Sequence, residues 1–295
     1  MPDGFALIDK EQGWTSHDVV AKARGMLGER KIGHAGTLDP MATGLLVLGV
    51  GKATRLLRFV QGQTKEYETT AMFGVSTDTL DADGAVLSRE PMSIDEEDVV
   101  AVLPRFLGTV MQVPPMVSAL KVDGRRLYEL AREGIEVERH ERPVEIHAIE
   151  VTDFAPGPYP EVSLRVRCGT GTYVRTLADD IAAALGGRAH LTALRRTAIG
   201  SHRVDDAMTL DRLQAALDGN RDRLPLLTPA AGIADLPSIV VDTEAATAIG
   251  HGTVFSAAAL GLETAGEYAV LDAEGGLLSV YVSDGRRAKP MVVMS

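Results

Sequence analysis

Asp39 stands in the segment GHAGTLDPMATGL, residues 33–45, a carboxylate inside a glycine-rich stretch flanked by two apolar runs. Glycines at 33, 36 and 44 let the backbone approach a ligand closely, and His34 and Thr37 place further polar groups beside the carboxylate. A carboxylate in such a loop can serve as a nucleophile or as a general acid or base. Taken alone, Asp39-Pro40 is the ordinary dipeptide of a helix start, with Asp as cap and Pro as the first helical residue. The two roles are compatible, and a Pro-fixed helix start is predicted to be the rigid mount of this carboxylate.

Other stretches imitate binding motifs and fail on their spacing. Gly49-Val50-Gly51-Lys52-Ala53-Thr54 opens like a nucleotide loop, but Leu46 occupies a required glycine position and Thr54 breaks the GxGxxG count. Asp81, Asp83, Gly84 and Glu90 fit parts of a calcium loop, yet Thr79 stands where the first carboxylate belongs, so residues 79–90 read as an acidic hairpin. Cys168 is the single cysteine, which excludes an internal disulfide and a CxxC metal site, and the seven histidines form no HExxH pair. The chemistry expected is free of metal and cofactor.

The surrounding pattern supplies elements to carry Asp39. Residues 5–9 read as a short apolar strand, and Ser16 offers an N-cap for a helix with Val19, Val20, Ala23, Met26 and Leu27 at helical spacing, ended by Gly28. Residues 45–50 are apolar enough for a buried strand, and 52–60 return to helical spacing. Tyr67, Thr69, Ala71 and Phe73 alternate with Glu68, Thr70 and Met72 as in a half-buried strand, and Val162, Leu164, Val166 and Cys168 do so with Ser163, Arg165 and Arg167. Gly169-Thr170-Gly171-Thr172 turns the chain into a helix bearing Leu177, Ile181, Ala184 and Leu185, stopped by Gly186-Gly187. Residues 113–143 mix Pro114-Pro115 with Lys121, Arg125, Arg126 and alternating charges, the pattern of a flap leaving the core. Past Thr228-Pro229 the strands at 238–242, 268–271 and 277–282 predict a second, mainly β unit over 229–295, after a first over 1–228.

Length and composition suit an ordinary globular chain: 295 residues, 45% hydrophobic and 24% charged. No segment approaches the roughly 20 apolar residues of a membrane span, and the first residues have no leader pattern, so a cytoplasmic location is expected. A formal charge of −11 speaks against a nucleic-acid partner unless the charge is segregated. Within 161–203 it is: Arg165, Arg167, Arg175, Arg188, Arg195, Arg196 and Arg203 outnumber Glu161, Asp179 and Asp180, and a basic face is predicted there.

Residues 33–45 resemble the catalytic motif of the pseudouridine synthases, in its bacterial TruB form. Further blocks follow in that family's order: Ile8-Asp9-Lys10 with Gly13 and Thr15-Ser16; Lys65-Glu66-Tyr67; Pro115-Met116-Val117-Ser118-Ala119-Leu120-Lys121 through Gly124 to Tyr128; Gly171-Thr172-Tyr173-Val174-Arg175-Thr176-Leu177; and Ala189-His190-Leu191-Thr192-Ala193-Leu194-Arg195-Arg196. Glu11 stands where the family usually has Pro after its first lysine, which leaves the shape of that turn open.

The resemblance implies a mixed α/β catalytic domain of the α+β type, with a twisted, mainly antiparallel sheet, then a small PUA-like β domain for RNA. It implies conversion of uridine 55 in the T loop of tRNA to pseudouridine by base flipping, without cofactor, and by a monomer without an obligate protein partner. By the same resemblance Asp39 is the catalytic group, Tyr67 lies against the flipped uracil and takes the C5 proton, and Arg175 pairs with Asp39 to keep it ionised and oriented. His34, Tyr173 and Leu194 then contact the nucleotide or wall its pocket, and Lys121 closes over the RNA. Rival readings are a synthase acting on another RNA under a guide, an RNA chaperone that uses the fold without catalysis, and a carboxylate hydrolase. The last lacks a second acid at a telling spacing.

Overall fold

The computed structural model describes residues 3–294 apart from 119, 123, 128–129, 131–132, 136 and 220–223, and no side chain at 121, 122 or 126. Nine strands form the main sheet. The order is β1 (Gly4–Lys10), β3 (Thr43–Val50), β12 (Ala189–Ile199), β4 (Lys65–Phe73), β11 (Glu161–Cys168), β10 (Arg142–Ala155) and β7 (Gly108–Gln112), with β2 (Ile32–His34) on β3 and β13 (His202–Arg203) on β12. Every described pairing in it is antiparallel except β3 with β12.

The sequence pattern explains the layers. Along β1 and β3, alternate residues enter opposite cores: Ala6, Ile8, Leu46 and Leu48 face one, Phe5, Leu7, Leu45 and Val47 the other. Burial on both faces is why 45–50 is continuously apolar. On β4 and β11 one face alone is buried, so Tyr67, Ala71, Phe73, Val162, Leu164 and Val166 alternate with polar residues. Helices Ser16–Leu27, Glu96–Val102, Val174–Ala184 and Leu210–Gly219 cover that face. The short helix Leu57–Gln61 lies on the other side of β1 and β3, sharing its core with Ala269, Val280 and Val292.

Those three residues belong to a five-stranded sheet ordered β14 (Ser238–Val240), β16 (Gly266–Leu271), β17 (Leu277–Ser283), β18 (Arg287–Val293) and β15 (Phe255–Ser256). It has its own core of Ile249, Tyr268, Val270 and Tyr281, completed by the helix Thr243–Gly250. The sequence pattern had identified neither that helix nor β15 and β18. The acidic stretch after β5 (Val75–Thr77) is a hairpin with β6 (Val86–Arg89), as expected. Between β7 and β10 the chain leaves the sheet over residues 113–141 and carries the small hairpin β8 (Lys121–Val122) with β9 (Arg125–Arg126).

Three expectations need correction. The first helix is capped by Thr15, not Ser16: Thr15 Oγ1 accepts from the Asp18 amide in a capping box, which frees Ser16 for a buried role below. No helix starts at Asp39-Pro40; Ala42 donates its amide to the Asp39 carbonyl at 3.1 Å, and this turn feeds β3. The basic face is largely neutralised. Arg165 pairs with Glu150 at 3.1 Å, Arg188 with Asp179, Arg195 with Asp9 at 2.8 Å and Arg203 with Glu66 at 3.0 Å, while Arg175 and Arg196 are buried. Segregation along the chain did not survive folding: Glu150 meets Arg165 from the adjacent strand β10, Asp9 reaches Arg195 from β1 across β3, and Asp179 meets Arg188 from the helix Val174–Ala184.

Candidate active site

The loop between β2 and β3 presents Asp39, and buried polar groups pin it from three sides. Ser16 Oγ accepts from the Leu38 amide at 2.8 Å and donates to the Leu38 carbonyl at 3.2 Å. At the first turn, where Glu11 stands, the Gly13 amide donates to the Pro40 carbonyl at 2.8 Å. Lys10 Nζ, on a fully buried side chain, donates to the carbonyls of Trp14 at 2.7 Å, Glu11 at 3.0 Å and Pro40 at 3.4 Å. Burial lowers the Lys10 amine to about 8, against the pull of Asp39. From the sheet, Arg196 runs beneath the loop: Nε donates to the Leu45 carbonyl at 2.8 Å and Nη2 to the Gly36 carbonyl at 3.1 Å. The strands approach so closely there that a Cβ on Gly44, at φ +97°, would meet the Arg196 carbonyl oxygen at 2.3 Å.

Asp39 opens onto a cavity of about 290 Å³ shared with Lys65, Tyr67, Ser118, Tyr173, Arg175, Leu194, Arg196 and the Gly169-Thr170-Gly171-Thr172 turn. Arg175, only 3% exposed, is its charge centre. Its Nη2 lies 3.0 Å from Asp39 Oδ2 and donates to the Val117 carbonyl at 2.8 Å; Nη1 donates to the Thr79 carbonyl at 2.7 Å and to Asp81 Oδ2 at 3.1 Å. One guanidinium thus ties the Asp39 loop, the β5–β6 hairpin, the 113–141 excursion and its own helix together. Burial pushes the Asp39 carboxyl above its usual range; Arg175 opposes that shift and Asp81 adds to it.

Tyr67 follows from strand parity. It sits on β4 between Arg196 on β12 and Val166 on β11, and it lines the cavity together with Arg196. Burial raises the phenol despite that cation, so at neutral pH it is protonated. Tyr173 precedes the helix carrying Arg175, and Gln112 grips its peptide at both ends: Gln112 Oε1 accepts from the Tyr173 amide at 3.1 Å and Nε2 donates to its carbonyl at 3.4 Å. Leu194 forms an apolar part of the wall.

His34 does not line the cavity. Its ring meets His17 edge-on at a centroid distance of 5.4 Å, and it adjoins the site through the lining residue Gln61, whose Nε2 donates to the His34 carbonyl at 3.4 Å. The side chain of Lys121 lies outside the described residues. No group of three His, Cys, Asp or Glu side chains among the described residues is placed to hold a metal.

Sequence reasoning missed Asp81, Gln112, Lys65 and Arg196. Arg196 shares strand parity with Leu194, so its inward direction was legible. Lys65 Nζ donates to the carbonyls of Gln61 and, at 2.7 Å, Gln63, and burial lowers it to about 8. Asp81 had no local signal, because its partner lies 94 residues away. The turn presenting it contains Leu80 at φ +61°, the one described non-glycine residue in the left-handed region, a strain of about 1–3 kcal/mol.

The profile of the TruB family pseudouridylate synthase N-terminal domain matches residues 24–174, which include Asp39, Tyr67 and Asp81, and that of the tRNA pseudouridylate synthase B C-terminal domain matches 175–230, which include Arg175, Leu194 and Arg196. The chain belongs to the TruB family of pseudouridylate synthases. It is 52% identical over 221 residues to the tRNA pseudouridine synthase B of Thermobifida fusca (strain YX), covering 73% of this chain and 75% of that one. With the tRNA pseudouridine synthase B of Arthrobacter sp. (strain FB24) it shares 42% identity over 306 residues, 100% of this chain and 97% of the relative. Among solved structures, a chain of the Cbf5-Nop10-Gar1 complex superimposes with a TM-score of 0.76 at 26% identity, over 95% of this chain and 78% of that one. The TruB family profiles end at residue 230, before the five-stranded sheet begins.

Proposed function

We propose that this pseudouridylate synthase acts on tRNA and converts uridine 55 of the T loop, working as a single chain in the cytoplasm. The observation that carries the reading is the Asp39 carboxylate held 3.0 Å from Arg175 at the wall of a cavity. Names of the relatives, each a tRNA pseudouridine synthase B, support tRNA as the substrate. The reaction breaks the N1–C1′ bond, turns the uracil, joins C5 to C1′ and releases the C5 proton, so no electrons are gained or lost. The target base must leave its stack, which costs a few kcal/mol and is offset by contacts in the pocket. Asp39 serves as the nucleophile at sugar or base, or removes a ribose C2′ proton; each route needs the ionised carboxylate that Arg175 favours. The 113–141 excursion closes over the RNA, and the 238–293 sheet serves as a PUA-like RNA-binding surface.

Incubating the purified chain with unmodified tRNA and no cofactor, followed by site-resolved pseudouridine detection, tests the proposal. Product at position 55 is expected; product at another site would overturn the assignment of position, and none from a folded sample would overturn the activity.

Tyr67 is assigned to stack on the flipped uracil and receive the C5 proton. Since its phenol is protonated at rest, taking that proton requires its own to depart. Tyr67→Phe retains the ring and loses the hydroxyl: tRNA affinity should hold while the single-turnover rate falls by about 10²-fold or more. A rate equal to wild type would assign C5 deprotonation to another group.

A further inference from the structure

Ser118 lies in the 113–141 excursion, beside the residue whose carbonyl docks on Arg175. The Val117 carbonyl accepts from Arg175 Nη2 at 2.8 Å, the same nitrogen that stands 3.0 Å from Asp39, so Ser118 is brought to the reacting end of the cavity. Its amide donates to the Met116 carbonyl at 3.1 Å, a tight turn that fixes the local backbone. The side chain is 5% exposed and lines the cavity, yet among the described residues Oγ has no hydrogen-bond partner. By contrast, Thr172 Oγ1, another lining hydroxyl, donates to the Gly169 carbonyl at 3.1 Å. Thr176 Oγ1 also has no partner among the described residues, but Thr176 does not line the cavity.

A buried hydroxyl without a partner destabilises the fold relative to alanine at the same position. Within the described residues Ser118 therefore gains no hydrogen bond that a methyl group would lack, whereas a ligand in the cavity can both accept from and donate to it. We propose that the Ser118 hydroxyl hydrogen-bonds an uncharged oxygen of the flipped nucleoside, on its ribose or uracil, and so makes the docked excursion part of the substrate pocket. The lining charges are mixed, Asp39 paired with Arg175 and Lys65 and Arg196 nearby, so the salt dependence of tRNA binding, not the local charge, separates a neutral oxygen from a phosphate. This inference rests on the reading that the cavity receives a flipped uridine.

The experiment compares Ser118→Ala with wild type for thermal midpoint without RNA, tRNA affinity across salt concentrations, and single-turnover pseudouridine formation at subsaturating enzyme. Alanine should leave the midpoint unchanged or higher and lower the single-turnover efficiency about tenfold, the effect of one hydrogen bond lost in a dry pocket. The salt slope of tRNA binding should stay at its wild-type value, since no phosphate contact is removed. Ser118→Thr, which keeps a hydroxyl, should recover most of the lost efficiency. Unchanged efficiency in the alanine variant would overturn the proposal, and so would a fall in efficiency that accompanies a lower thermal midpoint, the mark of a purely structural hydroxyl. A shallower salt slope would assign the contact to phosphate and overturn it as well. Absence of product from wild type would instead refute the parent reading.

Discussion

Asp39→Asn is expected to give a folded protein that binds tRNA with wild-type affinity and forms no pseudouridine in multiple turnover, a loss of at least about 10⁴-fold, the order seen when a catalytic group of this kind is removed. Asn keeps the size of the carboxylate and can still accept from Arg175, so the charge centre need not collapse. It cannot attack carbon as a carboxylate does, nor take a proton. The same substitution has a stability consequence of opposite sign. Burial raises the folded-state value of Asp39 above its ordinary 3.8, so the folded chain holds that proton more tightly than the unfolded chain. Its contribution to stability is fully present below 3.8 and is lost as pH rises through the raised value. Asn is neutral throughout. The variant should therefore be at least as stable as wild type at neutral pH and should show a flatter dependence of thermal midpoint on pH above 3.8. Measured product at the wild-type rate would remove Asp39 from its role, whatever the stability result.

Arg175→Lys should lower the chemical rate by about 10²-fold or more, since an ammonium cannot reproduce a planar fork of donors. The guanidinium spans Asp39, Asp81 and the carbonyls of Thr79 and Val117 at 2.7–3.1 Å. Lysine retains a charge at this site, whereas an apolar residue would leave the buried Asp81 unpaired and cost about 3–5 kcal/mol in stability. Lysine is thus the substitution that separates orientation from charge. The pH profile supplies the second readout. In the proposed role Asp39 acts when ionised, so activity is expected to fall as pH drops through its folded-state value. Arg175 holds that value down against burial and Asp81; with its contact weakened, the acid limb should move to higher pH, and raising the pH should restore part of the lost rate. Asp81→Asn removes the carboxylate that pushes Asp39 up and should move the limb to lower pH. A wild-type rate and an unmoved limb in Arg175→Lys would sink the oriented ion pair.

The residues that meet at the cavity were unequally legible. Asp39 was readable because a glycine-rich loop with a lone carboxylate is a local pattern, and the alternation around Tyr67 placed it on a strand face; the site roles of Tyr67 and Leu194 came from the family resemblance. Gly28 and the Gly169-Thr170-Gly171-Thr172 turn likewise announced their helix boundaries. Asp81 looked like one acid among many in a hairpin, since nothing nearby in the chain identifies the Arg175 it meets. Gln112 ends an edge strand and gives no sign that its amide will match the Tyr173 peptide across 61 residues. His34 shares the Asp39 motif, but strand β2 carries it out of the cavity lining and against His17.

By itself the sequence determined the periodicities that build the two-sided burial of β1 and β3, the one-sided burial of β4 and β11, and the carboxylate most suited to chemistry. These are local properties, set by side-chain alternation and by which residues tolerate a turn. Only the tertiary structure decided the charge balance of the site. Seven arginines crowded in residues 161–203 suggested a basic face; folding paired four of them with acids from neighbouring elements and buried Arg175 and Arg196 beneath Asp39 and Tyr67. Electrostatic energy depends on distance and burial, neither of which a position in the chain specifies.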